Sequence, residues 1–213
     1  QSAEHILGKD EVVRSNRISS SKKPRTNVRG FFRTCAKDGN QKEGSVMSSR
    51  STRPGFGVRQ IAPGVYHIDE WGVASCYLVA GSERALLIDT GVGLGDMPGL
   101  VRTLTKLPVT VAATHAHCDH IGGAGGFGNI YVPAPEARHR AGQSRAVRRA
   151  FLCTERGLRE RGAAPAKLAK GPAARMLPLA AGHVFQLGGR TVKVLAAGGH
   201  TPGGAYYLCR EEG

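Results

Sequence analysis

Ten residues constrain this chain most: Thr114-His115-Ala116-His117-Cys118-Asp119-His120-Ile121-Gly122-Gly123. Three imidazoles and a carboxylate, all strong metal donors, fall between His115 and His120. The apolar run Val109-Thr110-Val111-Ala112-Ala113 leads in, and a glycine-rich stretch leads out. This pattern predicts a strand that ends in a donor-bearing loop, a platform held by a rigid sheet. His115 and His117 lie two apart, so in an extended backbone they project to one side. Asp119 and His120 follow where the chain turns and aim at a second point. Neutral imidazole and carboxylate suit zinc, and also iron or manganese. The same alternation turns Cys118 away, and it is read as a non-ligand. With eight histidines in the chain one chance pair is unremarkable, but four donors at this spacing beside a Gly-Gly turn are not.

The flanks read as a sheet-forming domain. Val58–Ala62, Val65–Asp69, Ala74–Ala80 and Ala85–Asp89 are strand-length runs separated by turn chemistry at Pro63-Gly64, Trp71-Gly72 and Gly81-Ser82. They predict an antiparallel meander whose last strand ends in Asp89-Thr90-Gly91. Residues 97–106 show helical spacing, and Pro108 stops that helix before the donor strand. Gly122 to Gly128 contains a formal G-x-G-x-x-G, but it opens no helix of a βαβ unit, so dinucleotide binding is rejected. After a short strand at Asn129–Pro133, residues 134–177 are alanine- and arginine-rich and predict a helical insertion. There Val147, Phe151 and Leu158 share one face among Arg145, Arg148, Arg149, Arg156 and Arg159. A plainly solvated cationic face is favoured over a cationic lid for an anionic substrate. Strands at His183–Leu187, Thr191–Ala196 and Ala205–Cys209 follow, with His200 in the turn Gly198-Gly-His-Thr-Pro-Gly-Gly204 at a strand end.

Residues 1–54 keep no apolar period and contain polar, basic stretches such as Ser19–Thr26. They read as a disordered or loosely ordered basic extension, with residues 55–213 as the domain. Met47, just before the first globular-looking segment, is a candidate natural start. Five scattered cysteines without a C-x-x-C pair exclude a disulfide framework and a cysteine zinc knuckle. No apolar run approaches the roughly 20 residues that span a bilayer. Gln1–Asp10 is followed by no apolar signal region, so no membrane partner and a cytoplasmic location are expected. The net charge of +14 comes without an aromatic-interleaved basic motif, which disfavours a nucleic-acid partner.

From about Val58 onward these motifs resemble the metallo-β-lactamase fold superfamily. Thr114-His-Ala-His-Cys-Asp-His120 is similar to its H-x-H-x-D-H motif, Leu86-Leu-Ile-Asp-Thr-Gly91 to its strand-end Asp motif, and Gly199-His-Thr-Pro-Gly203 to its third-histidine turn. The resemblance implies an α+β fold, an αββα sandwich with the metals at one edge between the sheets. It implies that His115, His117 and His200 hold a first ion, that Asp119 and His120 begin a second site, and that Asp89 orients a ligand from behind. One or two Zn2+ ions, or iron or manganese, are the implied cofactors. The chain departs from the family after His200: no acidic bridging ligand or final histidine follows. The expectation is therefore an N-terminal portion of a longer protein with an incomplete C-terminal half of the sandwich, exposed apolar strand faces and an unpaired edge.

The implied activity is hydrolysis by metal-activated water of a small ester, thioester, lactone or lactam, with Asp119 as the catalytic residue that orients the nucleophile and takes its proton. No G-x-S-x-G supports a serine nucleophile. The alternatives are a nucleic-acid-processing relative and a truncated metal-binding fragment without turnover.

Overall fold

The computed structural model describes residues 55–154 and 168–211, together with the backbone of 5–7. Four strands open the domain as an antiparallel ladder. They are β2 (Phe56–Ala62), β3 (Val65–Glu70), β4 (Ala74–Ala80) and β5 (Ala85–Ile88), following β1 (His5–Leu7) near the start of the chain. Parallel crossovers then add β6 (Val109–Ala112), β7 (Asn129–Pro133) and β8 (Arg175–Leu179). The seven form one sheet in the order β2-β3-β4-β5-β6-β7-β8. The second sheet, β1-β11-β10-β9, contains β9 (Val184–Gln186), β10 (Arg190–Ala196) and β11 (Ala205–Glu211).

Strand β5 shows why the two sheets stack. Its four residues are all buried, because alternate side chains serve different cores. Ala85 and Leu87 join a cluster with Met97, Leu100, Val101, Ile121 and Ile130 on the helical side. Leu86 and Ile88 face Phe185, Val192, Val194 and Tyr207 of the second sheet. The described layers are therefore helices, seven-stranded sheet and four-stranded sheet. No helix among the described residues covers the outer face of the second sheet, where Val184 is exposed and Leu195 and Tyr206 are half-buried.

Helix α1 (Met97–Leu104) begins where the Asp96 Oδ1 accepts from the Gly99 N–H at 2.9 Å, and it presents Met97, Leu100 and Val101 to the sheet. Helix α2 (Cys118–Ile121) starts directly after His117, whose carbonyl accepts the N–H groups of His120 and Ile121. Helix α3 (Arg145–Thr154) is the described part of the insertion. No described helix is long and apolar enough to cross a membrane.

Three sequence expectations change here. Strand β8 occupies what was read, from alanine and arginine content, as the end of the helical insertion, and it includes Pro178. A donorless residue argues against a strand, yet β8 is the outermost strand of its sheet and a proline is tolerated there. In α3 the inward side chains are Arg148 and Leu152, while Val147 is exposed. The Arg148 guanidinium is taken in by the carbonyls of Gly122 (3.0 Å), Ala169 (3.1 Å) and Val92 (3.3 Å), so it is not part of a solvated face. Arg156, Leu158 and Arg159 lie outside the described residues. Within the segment expected to be loose, His5–Leu7 pairs with β11; Met47 and the rest of that segment lie outside the described residues.

Tyr207 ties the two sheets together. It is fully buried and its Oη donates to the Ala113 carbonyl at 2.8 Å, one residue before the donor loop. Tyr207→Phe is expected to lower unfolding free energy by about 1–2 kcal/mol, because the carbonyl keeps its burial and loses its donor. Urea melts of the two proteins measure this directly.

Candidate metal centre

Strand β6 ends at Ala112, and the chain bends through Thr114–His117 before α2 begins. His115 and His117 thus leave a bent loop rather than the extended backbone expected from the sequence, while Asp119 and His120 sit on the first helical turn. Eighty-three residues beyond His117, the β10–β11 turn brings His200 back: its Nε2 lies 3.0 Å from the His117 Nδ1. One ring nitrogen from each of His115, His117 and His200 falls within 4.8 Å of the others. It is the only such cluster of three or more His, Cys, Asp or Glu groups among the described residues. The Cys118 thiol is outside it, buried, and pushed up to about 11 by burial and then by the charge of Asp119.

The hydrogen bonds assign the tautomers. The Thr114 Oγ1 has one proton, which goes to the Asp89 Oδ2 at 2.9 Å. The His115 Nδ1, 3.1 Å from the same Oγ1, must then be the donor of that pair. Its Nε2 keeps a lone pair, and that atom is buried without a hydrogen-bond partner. An unpartnered buried nitrogen beside two further imidazoles is what a ligand to a cation looks like before the cation is placed. Burial holds His115 below the ordinary imidazole pKa and neighbouring imidazoles reinforce it; partial desolvation of the His117 ring lowers that pKa too, against the opposing charge of Asp119. Both are therefore neutral, the form that binds metal. The donor set fits a borderline-soft divalent ion such as zinc.

Asp89 stands behind this cluster. It is buried with φ +64°, a left-handed conformation that costs an L-residue roughly 1–2 kcal/mol. Its carboxylate offsets that cost by accepting the Thr114 N–H (2.8 Å), the Thr114 hydroxyl (2.9 Å) and the His120 Nδ1–H (2.9 Å). The His120 Nε2 then faces Asp119, 3.5 Å from its Oδ2. Burial opposes a charge on His120, but Asp89 and Asp119 outweigh it and raise its pKa well above the ordinary value. Burial likewise opposes the Asp119 carboxylate, and the hydrogen bond and charge of His120 overcome it, leaving Asp119 ionised.

Two buried carboxylates escaped the sequence reading. Glu70 accepts the N–H groups of Val92 (2.6 Å), Gly93 (3.1 Å) and Leu94 (2.7 Å) in the loop that follows Asp89. A Cβ on Gly91 would fall 2.3 Å from the Glu70 Oε2, so the close approach requires glycine there. Glu136 accepts from Ala116 and Gly203. Neither has a spacing signal, because both bind backbone groups far away in the chain.

Residues 69–213 match the family model of the metallo-beta-lactamase superfamily. Among curated proteins, the acyl-coenzyme A thioesterase MBLAC2 of Gallus gallus is 33% identical over 96 residues, 38% of this chain and 35% of that protein. The Homo sapiens protein of the same name is 37% identical over 76 residues, 30% of this chain and 27% of that protein. The chain thus spans about a third of the length of the curated relatives it matches. Among solved structures, a Cronobacter sakazakii metallo-beta-lactamase with a HARLDQ motif superposes with a TM-score of 0.53 at 20% identity. That match covers 73% of this chain and 58% of the other, and it is a likeness of fold.

Proposed function

The chain belongs to the metallo-beta-lactamase superfamily, and from that premise we propose that it is a metal-dependent hydrolase acting on an acyl thioester, with zinc as the ion. The reading rests above all on one observation: three imidazoles from two loops far apart in sequence converge, with the His115 Nε2 buried and unpartnered. The thioester is favoured among ester-like substrates because the two curated relatives described above are named acyl-coenzyme A thioesterases.

His115, His117 and His200 would hold the first ion, and Asp119 with His120 would begin a second site. A bound divalent ion supplies water acidic enough to be a nucleophile at neutral pH and an electrophile for the carbonyl oxygen. The protein's own groups do the rest. The Asp119 carboxylate, ionised and partly exposed, accepts a hydrogen bond from the attacking water and takes its proton. Asp89 holds the His120 Nδ1–H and so fixes the ring with its Nε2 toward Asp119, where the Nε2 would give up its proton to bind a second ion. Thr114 does the same for His115 through its Nδ1.

The test is a panel of acyl-coenzyme A, a chromogenic thioester, a lactone and a lactam, run beside single-stranded RNA on zinc-loaded protein. Thioester hydrolysis that a chelator abolishes and zinc restores is expected. Cleavage of RNA alone would replace this reading with a nucleic-acid-processing one, and metal binding with no turnover on any substrate would replace it with a metal-binding role.

A further inference from the structure

The imidazoles that converge come from two separate loops, and something must set the distance between them. Part of the answer is backbone: the Ala205 N–H donates to the Thr114 carbonyl at 2.8 Å, where β11 begins. That bond fixes the base of the turn, while Gly198, Gly199 and His200 at its tip are exposed.

A single side chain reaches both loops. Glu136, in the short helical turn Ala134–Glu136 that follows β7, is only 2% exposed. Its Oε2 accepts the Ala116 N–H at 2.6 Å, the peptide between His115 and His117. Its Oε1 accepts the Gly203 N–H at 3.1 Å, three residues past His200. A Cβ on Gly203 would lie 2.8 Å from the Glu136 side chain, so the turn closes directly on the carboxylate. Each oxygen therefore serves a different histidine-bearing loop, and the carboxylate's fixed width becomes the spacing between them. We infer that Glu136 is a positioning residue: it sets the convergence of His115, His117 and His200 and thereby the affinity of the site for its ion. The inference rests on the three-imidazole site proposed above.

Glu136→Gln keeps the shape but turns an N–H2 toward one of the two backbone donors, so one loop loses its acceptor. The variant is expected to bind zinc about 10–100-fold more weakly than the wild type, as loss of partners behind metal ligands does elsewhere. Chelator competition on apo protein reads this without reference to turnover. The cobalt-substituted variant should also show an altered visible spectrum, reporting changed ligand geometry. Gln143→Leu is the control for mere destabilisation. Gln143 clamps the Ala174 N–H and carbonyl at 2.6 and 3.0 Å, and its loss should lower stability with zinc affinity unchanged.

A folded Glu136→Gln protein with zinc affinity within about twofold of wild type overturns the inference. If that variant does not fold, Glu136→Asp, one methylene shorter and able to reach only one of the two loops, is held to the same criterion. If neither folds, the carboxylate serves the whole fold and the inference fails. A wild-type protein that binds no zinc refutes the site itself, which is a different result from equal binding by wild type and variant.

Discussion

His115→Ala is expected to weaken zinc binding by at least about 100-fold and to reduce the ion content of purified protein at the first site to background. Structural zinc sites with four ligands hold their ion with about 10–16 kcal/mol, so one ligand carries roughly 3 kcal/mol. His115 should lie at the upper end of that range. Its Nε2 is already desolvated and unpartnered, so the protein has met the cost of burying it before the ion arrives. His117 and His200 are exposed and pay that cost on binding. Elemental analysis after exhaustive dialysis gives the stoichiometry, and chelator competition gives the affinity. Unchanged stoichiometry in a folded variant would remove His115 from the ligand set.

Glu70→Ala is expected to lower unfolding free energy by about 3–5 kcal/mol, enough to unfold a domain of ordinary stability near body temperature. The carboxylate is fully buried and accepts the N–H groups of Val92, Gly93 and Leu94. Its removal leaves three buried donors without an acceptor, at about 1–3 kcal/mol each. The sum is reduced because burial raises the Glu70 pKa to about 7 from 4.5, so ionising it in the folded state already costs stability at neutral pH. The sign follows from linkage. The folded pKa lies above the unfolded one, so this contribution is full below about pH 4.5 and is lost as pH rises through 7. Glu70→Gln titrates in neither state. The stability gap between wild type and Glu70→Gln should therefore narrow as pH rises from 5 to 8. Urea melts across that range decide both points: a loss under about 1 kcal/mol for the alanine variant would show that Glu70 does not hold this loop, and a gap that widens with pH would show that its folded pKa is lowered rather than raised.

Much of the fold was legible in local patterns. Alternation and turn residues located β2 to β5, and the observed β4 covers the predicted run from Ala74 to Ala80. The apolar spacing at Met97, Leu100 and Val101 found α1, and the donor run marked the end of β6. These features succeed because their causes lie within a few residues: a pleat, a helical face, a turn. Arg148 shows the limit. By spacing it belongs with the other arginines of α3, yet three carbonyls from distant loops take its guanidinium into the interior.

The sequence by itself determined the chemistry on offer: which side chains can bind a cation, and the strand whose end leads into the loop that carries His115 and His117. The resemblance implied that His200 joins them, but only the tertiary structure supplied the physical reason: stacking the second sheet on the first places the β10–β11 turn over the end of β6. It alone also decided that Glu70 and Glu136 matter. A carboxylate that binds backbone N–H groups leaves no mark on its partners' identities, since nearly every residue carries that same donor. Side-chain chemistry is written locally; the meeting of backbone groups from remote segments exists only once the chain has packed.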